Sequence, residues 1–224
     1  MYNPEIIEKL EAYLISQVQT GTSEPNPYNI QANRTLVKLY QFFPSRANVE
    51  YLILAEFLAL VYSADKSEGC VDFGALGCLI SESVKKEEPF PTLTECSDLL
   101  DSCQFPQFWK TFRSIESTYA KVSELAKSTH AQNALRRLIL NTLSQSFRST
   151  NVSYVLSQLD LNSVGEIESF IKDNKLNGLV ESIDGNVLTF SAKMENTKRE
   201  KVYQDTRTDY GSIRGLLKKV AAAE

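Results

Sequence analysis

The sequence of 224 residues has few of the side chains on which catalysis most often depends. Histidine occurs once, at His130, so a nucleophilic triad would have only this residue as its general base. There is no Gly-rich phosphate loop, no H-E-x-x-H motif and no dinucleotide-binding fingerprint. Asp98 and Asp101 are carboxylate neighbours, but nothing near them in the sequence is expected to raise either pKa. We therefore expect no enzymatic activity, no cofactor and no small-molecule substrate.

Cysteine is also scarce. The four cysteines, Cys70, Cys78, Cys96 and Cys103, form no C-x-x-C pair, and a single histidine does not complete a zinc-ligand set with them. We expect no metal site. Buried, reduced thiols are the ordinary state of such cysteines in a cytosolic protein, and we expect that state here.

Long apolar runs and a strong charge of either sign are missing as well. The most apolar stretch, residues 51–62, is too short to span a bilayer and contains Glu56. The first residues show no basic region followed by an apolar one, so we expect no secretory signal. A net charge of −4 gives the chain no overall attraction to nucleic acid or to membranes. We expect a cytoplasmic protein, with the nucleus also open, that does not bind membranes.

The residues from 151 to 191 carry a pattern typical of a winged helix. Asn162 or Ser163 can cap the second of two amphipathic helices, and Glu166 suits its first turn. Two β-rich runs, residues 179–183 and 187–190, flank a Gly-containing turn and predict a hairpin. The apolar positions that define the two helices are Val152, Val155, Leu156 and Leu159 in the first and Val164, Ile167, Phe170 and Ile171 in the second.

A winged helix raises the question of DNA binding. The solvent face of its second helix carries Glu166, Glu168, Lys172 and Asp173, and three acids against one base would repel phosphates. This favours a winged helix that packs against proteins. A nucleic-acid-binding winged helix remains the alternative.

The chain before residue 147 is predicted to be entirely helical. Apolar residues recur at helical spacing in seven or eight segments joined by short turns, and no strand pattern occurs. One helix is predicted over residues 70–86, another begins at Pro91, and Gln104–Pro106 is expected to be a short joint. The predicted fold is mainly α, with an antiparallel helical-repeat stack of HEAT or TPR type followed by an α+β winged helix and a terminal helix. The corresponding domains are residues 1–146, 147–192 and 193–224.

The last domain has a basic character that the rest of the chain lacks. Residues 193–219 hold eight Lys or Arg and four Asp or Glu, a net charge of +4. Contact with RNA or with an acidic partner is one interpretation, and a solvated linker is the other. The candidate contact residues are Lys193, Lys198, Arg199 and Lys201.

Several stretches carry a residue-level resemblance to a known family. The stretches are YNPE at 2–5, LEAY at 10–13, YNIQAN at 28–33, LVKLYQF at 36–42 and DLLDSC at 98–103 with Phe105, Phe108 and Trp109. With the winged helix, they resemble the subunit K family of eukaryotic translation initiation factor three. This family belongs to the PCI-type scaffold proteins, which also build the proteasome lid and the COP9 signalosome.

The resemblance implies a non-catalytic structural subunit that is monomeric in isolation. It implies a scaffold in ribosomal preinitiation complex assembly and mRNA recruitment. The implied partners are other subunits of translation initiation factor three, subunit L foremost, with the small ribosomal subunit bound indirectly or weakly. A scaffold subunit of the proteasome lid or the COP9 signalosome is the alternative within the same architecture.

The resemblance also implies where partners bind. PCI winged helices associate side by side through their sheets, which places the strand at residues 187–190 at or near a partner if its edge is unpaired. Its candidate contacts are Val187, Leu188 and Phe190. So short an apolar face as that of the terminal helix must pack on its own chain or on a partner. The resemblance implies the partner, with Ile213, Leu216 and Leu217 joining a shared helical bundle.

Overall fold

The computed structural model describes residues 3–20, 28–62, 71–115 and 120–191, together with Arg214. By their contacts, the residues separate into one compact unit that ends at Ser191 and a second that begins at Ala192. All the helices and strands named below lie in the first unit. The further division of that unit at residue 146 stays a prediction.

Nine α-helices among the described residues precede the sheet. They are α1 (Ile7–Thr20), α2 (Ile30–Phe42), α3 (Val49–Tyr62), α4 (Val71–Gly77), α5 (Glu82–Lys85), α6 (Phe90–Asp101), α7 (Phe105–Ile115), α8 (Ala120–Lys127) and α9 (Thr129–Ser146). Short 3-10 helices occupy Pro4–Ile6 and Pro44–Arg46. The prediction of a mainly α stack followed by a winged helix is confirmed. None of the described helices has both the length and the apolar character needed to cross a membrane.

Helix α3 is the centre of the stack. Every residue from 52 to 62 is buried, because α1, α2, α4, α6 and α9 pack around this helix. Phe57 of α3 stacks on Phe112 of α7 at 6.0 Å between ring centroids. Phe112 in turn contacts Phe108 and Trp109, with centroids at 5.3 and 6.1 Å. This aromatic cluster joins α7 to the centre of the core.

The prediction of one helix over residues 70–86 is wrong. The chain leaves helical conformation between α4 and α5, around Leu79 and Ile80. The carbonyl of Leu79 accepts a hydrogen bond from Gln41 Nε2 at 2.6 Å, so it does not take part in a helical ladder. Ile80 meanwhile turns into the core, at 5% exposure. A tertiary contact and a buried side chain thus override the local helical pattern.

Two smaller predictions in the stack also need correction. Phe105 and Pro106 are not a joint but the first turn of α7, where proline needs no N–H partner. The turn lies one step earlier, at Cys103, whose φ is 57°. Of the cysteines described, Cys96 is buried, but Cys78 and Cys103 are exposed.

The winged helix follows as β1 (Ser149–Asn151), α10 (Val152–Leu159), α11 (Val164–Asp173), β2 (Val180–Asp184) and β3 (Val187–Phe190). Ser163 caps α11 by accepting a hydrogen bond from the Glu166 N–H at 3.3 Å. The Glu166 carboxylate accepts one from the Asn162 N–H at 2.9 Å, which completes a reciprocal cap. Val164, predicted to be buried, is 36% exposed in the first turn of α11.

The sheet contains a strand that the sequence did not predict. The strand order is β1-β3-β2, with both pairings antiparallel. Strand β3 is therefore central and paired on both sides, so the condition of an unpaired edge at residues 187–190 is not met. Among the described residues, the strands with one unpaired side are β1 and β2.

Candidate protein-interaction surface

The winged helix is fixed to the stack by hydrogen bonds at the C-terminal end of α10. The indole N–H of Trp109 donates to the Gln158 carbonyl at 2.9 Å. Arg136 of α9 donates from Nε to the Leu159 carbonyl at 2.9 Å and from Nη2 to the Asp160 carbonyl at 3.3 Å. These donors satisfy carbonyls that a helix end leaves without intrahelical partners.

Charge reinforces the same contact. Asp160 has a φ of 53°, the left-handed conformation that often ends a helix, and its carboxylate forms an ion pair with Arg113 of α7. The Arg136 guanidinium lies 5.4 Å from the Trp109 ring centroid. Burial lowers the pKa of Arg136, and the nearby Asp160 opposes that shift. We call this group of Trp109, Arg113, Arg136 and Asp160 the clamp.

The clamp positions the sheet relative to the helices. A second polar contact, from Arg137 Nη1 to Asn174 Oδ1 at 3.0 Å, ties the end of α11 to the same helix α9. Any surface on the sheet is therefore presented at a fixed orientation to the stack. The clamp was not predicted from the sequence. The one sequence feature related to the clamp is the pair Arg136–Arg137, which interrupts the apolar pattern of α9.

The predicted contact residues on β3 point to opposite faces of the sheet. Leu188 and Phe190 are buried, at 0% and 1% exposure, and belong to the core. Val187 is 43% exposed and lies on the outward face with its cross-strand neighbours Asn151 and Asp184. Only Val187 of the three is placed to touch another protein, while the other two hold the strand in position.

The β2 edge is irregular. The pairing register with β3 shifts between Val180 and Ser182, which makes Glu181 a β-bulge. The Glu181 carboxylate lies 3.2 Å from Nη2 of Arg148, the residue before β1. This ion pair is exposed and joins the two outer strands of the sheet.

Two exposed aromatic side chains lie close to β1 in the sequence, one before the strand and one after it. Phe147 and Tyr154 are 39% and 40% exposed, and their rings meet edge to face at 5.8 Å. We call them the aromatic pair. Exposed apolar side chains next to a strand with one unpaired side are typical of a protein-interaction surface. Neither residue is among the contact residues predicted from the sequence.

The remaining candidate residues belong to the terminal segment. Arg214 alone of the terminal segment is described, and it is helical and exposed. The residues that lie outside the described part of the chain are Lys193, Lys198, Arg199, Lys201, Ile213, Leu216 and Leu217. Within the described ranges no group of three or more His, Cys, Asp or Glu side chains is arranged to hold a metal ion.

Comparison with known proteins gives one consistent result. The model of the CSN8/PSMD8/EIF3K family matches residues 49–201, which include most of the stack and the whole winged helix.

Individual relatives extend this match towards both ends of the chain. A protein of Xenopus tropicalis is 24% identical over 216 residues, covering 96% of this chain and 89% of its own. One of Anopheles gambiae is 23% identical over 210 residues, covering 93% and 85%. One of Dictyostelium discoideum is 27% identical over 200 residues, covering 89% and 72%. Each of the three is named eukaryotic translation initiation factor 3 subunit K.

Proposed function

Because the chain belongs to the CSN8/PSMD8/EIF3K family, we propose that it is a subunit of eukaryotic translation initiation factor three. The observation that carries the proposal is the similarity to subunit K relatives over as much as 96% of the chain. The subunit is a non-catalytic scaffold that acts in ribosomal preinitiation complex assembly and in mRNA recruitment. Its contact with the small ribosomal subunit is indirect or weak.

The arrangement of helices and sheet within the first unit supports a scaffold role. A helical stack presents broad surfaces, and the clamp holds the winged helix rigidly beside it through Trp109 and Arg136. Preorganised surfaces of this kind bind partners without a large cost in ordering. Glu166, Glu168 and Asp173 are exposed on α11, and their negative charges would repel phosphates. This favours protein partners over DNA.

The partner surface proposed for subunit L is the sheet of the winged helix. It comprises the aromatic pair, the β1 edge and the outward residue Val187. Strand addition to β1 would supply backbone hydrogen bonds, and Phe147 and Tyr154 would supply apolar burial. The terminal helix is proposed to contribute Ile213, Leu216 and Leu217 to a bundle shared with the partner.

Affinity purification of the tagged full chain from its own cytoplasm, with nuclease present, tests the assignment to a complex. We expect initiation-factor subunits, subunit L foremost, to be identified by mass spectrometry. Recovery of proteasome-lid or signalosome subunits instead would keep the scaffold mechanism but assign it to another process. RNA recovered without nuclease, and no stable protein partner, would overturn the scaffold function in favour of a nucleic-acid-binding winged helix.

Two exposed valines provide a matched test of the surface. Val187→Lys places a charge on the outward face of the sheet, while Val164→Lys places the same charge at the start of α11. We expect the first variant to lose subunit L in pull-down and the second to retain it, with both remaining folded by circular dichroism. Equal retention would exclude the sheet as the contact. A charge at Leu188 is unsuitable for this purpose, because that side chain is fully buried and the variant would unfold.

The basic segment has its own test. Replacing four residues of the segment with glutamine removes four positive charges, at Lys193, Lys198, Arg199 and Lys201. If the segment contacts RNA or an acidic partner, this variant should bind that partner more weakly. A solvated linker would tolerate all four changes without any loss of co-purified subunits.

A further inference from the structure

An open groove of about 910 Å³ lies on the helical stack, among α3, α4, α5 and α6. The wall formed by α4 is lined by two glycines, Gly74 and Gly77. A Cβ atom added at Gly77 would lie 3.3 Å from Oε1 of Glu56, tighter than ordinary van der Waals contact. The absence of a side chain at Gly77 lets the Glu56 carboxylate pack against the backbone of α4.

The groove is acidic. Its lining includes five carboxylates, Glu56, Glu82, Glu95, Asp98 and Asp101. The described lining residues include two bases, Lys85 and Lys86, and together carry a formal net charge of −3. Lys85 is already engaged in an ion pair with Glu82 at 3.2 Å.

The acidic groups also affect one another. Partial burial and the neighbouring Asp98 raise the pKa of Asp101, in contrast to the expectation from the sequence. Like charges held close together favour a cation among them.

Glu56 differs from the other four acids because it is buried. It lies in the middle of α3, in contact with the groove, and is 3% exposed. Burial raises its pKa to about 7, and Lys85 opposes that shift only in part. No hydrogen bond or ion pair reaches its carboxylate from the described ranges of the chain. A buried carboxylate that lacks a partner is costly to ionise, and it would gain from a cation delivered to it.

We propose that this groove binds a basic segment of a partner protein, with an arginine or lysine side chain of that segment paired to Glu56. The charge of the groove is complementary to such a segment, and Glu56 belongs to the groove lining, where a long basic side chain can meet it. A metal ion is the less suitable occupant, since the described carboxylates are not grouped as metal ligands. The groove lies on the stack and not on the sheet, so the inference does not rest on the proposed function.

The test uses the full chain and a fluorescein-labelled (Gly-Arg)5 peptide, with binding followed by fluorescence anisotropy at about pH 8 and low salt. We expect Glu56→Gln to weaken peptide binding about tenfold, because it removes the charge that pairs with arginine. Glu168→Gln is the matched control, since it removes one negative charge from the exposed face of α11. The control should leave the affinity within about twofold of the wild type, because an exposed distant charge contributes little.

A second measurement distinguishes pairing at Glu56 from a general electrostatic attraction of the peptide to the acidic groove. Peptide binding by the wild type should strengthen from about pH 6 to about pH 8, as Glu56 with a pKa of about 7 becomes ionised. The increase should be absent in Glu56→Gln. The other charged groups facing the groove are common to both proteins, namely Glu82, Lys85, Lys86, Glu95, Asp98 and Asp101.

Amide chemical shifts locate the peptide. We expect the amides of Gly74 and Gly77 to shift on peptide addition, with smaller changes on α11. The inference is overturned if the peptide does not bind, if Glu56→Gln binds it as tightly as the wild type, or if the shifted amides lie mainly on α11.

Discussion

The helical stack and the winged helix differ in how completely they bury their apolar side chains. Among the described residues, seven large hydrophobic side chains are exposed, and four of them belong to the winged helix or its entry. These four are Phe147, Tyr154, Val164 and Val187. The stack is much the longer region and contributes the other three. The comparison indicates that the stack completes its own core, whereas the winged helix retains apolar surface that a partner can cover.

The geometry of the two regions explains the difference. Helix α3 lies among neighbouring helices, and residues 52–62 are buried throughout. The sheet has three short strands, and its inward residues, such as Leu188 and Phe190, meet the core while Val187 faces outward. A sheet covered on one side only must expose its other face.

The largest effect expected from this comparison is on folding stability. Phe112→Ala removes a fully packed ring that contacts Phe57, Phe108 and Trp109, so it should lower the free energy of unfolding by about 3–5 kcal/mol. Tyr154→Ala is the aromatic counterpart on the winged helix. It should cost less than about 1 kcal/mol, because that ring is already 40% exposed. Urea denaturation of both variants measures the contrast, and equal losses would contradict it.

The next largest expected effect is a pH dependence of the free energy of unfolding that arises from Glu56 in the stack. The folded chain retains the Glu56 proton up to a pKa of about 7, against 4.5 ordinarily. The stability that this proton contributes is fully present below about pH 4.5 and is lost as the pH rises through about 7. Relative to Glu56→Gln, the free energy of unfolding of the wild type should therefore fall by about 3 kcal/mol from about pH 4 to about pH 8.

Urea titrations at several pH values measure this fall. Glu168→Gln, on the exposed face of α11, supplies the winged-helix control and should follow the wild type. A wild-type curve parallel to that of Glu56→Gln would show that the carboxylate is not buried as described.

The clamp allows the two regions to be uncoupled. Arg136→Ala removes two hydrogen bonds to carbonyls at the end of α10 and the contact with Trp109, and should cost about 1–3 kcal/mol. Arg136→Lys keeps the positive charge, but an ammonium group cannot donate to both carbonyls as the planar guanidinium does. Most of the loss in stability should therefore remain. Hydrogen exchange should show the loosening in α10 and the sheet but not in α3. Equally faster exchange in α3 would show that the clamp does not act mainly on the winged helix.

The smallest effect tests local structure within the winged helix. Ser163→Ala removes the cap of α11 and should cost about 1 kcal/mol. Ser169→Ala makes the same chemical change at an exposed position inside the helix and should cost nothing. Thermal unfolding of the pair distinguishes capping from a general loss of serine hydroxyls.

The sequence predicted the features that depend on local pattern. The apolar spacing from Val152 to Leu159 predicted α10, and Ser163 with Glu166 predicted the start of α11. Both follow from residues within one or two turns of each other. Strand β1 could not be found in this way, because Ser149-Thr150-Asn151 is short and polar and becomes a strand only by pairing with β3.

The candidate surfaces were harder to predict than the fold. The clamp requires Trp109, Arg136 and Gln158 to meet, and these lie on three different helices. Leu188 could be identified as a strand residue, but whether its strand was central depended on the unpredicted β1. The groove around Glu56 likewise depends on the break between α4 and α5, which a contact from Gln41 to the Leu79 carbonyl imposes.

The irregular pairing at Glu181 bears on the behaviour of the chain before it meets a partner. A straight, apolar outer strand would be a template on which further copies of the chain could add without limit. At β2 the bulge breaks the regular spacing of backbone donors and acceptors, and the Arg148–Glu181 pair places two charges over the sheet. Growth into a fibril would have to bury those charges and reproduce the bulge in every added strand. The free chain is thereby protected from aggregation at β2, while β1 remains the side at which a matched partner can add a strand.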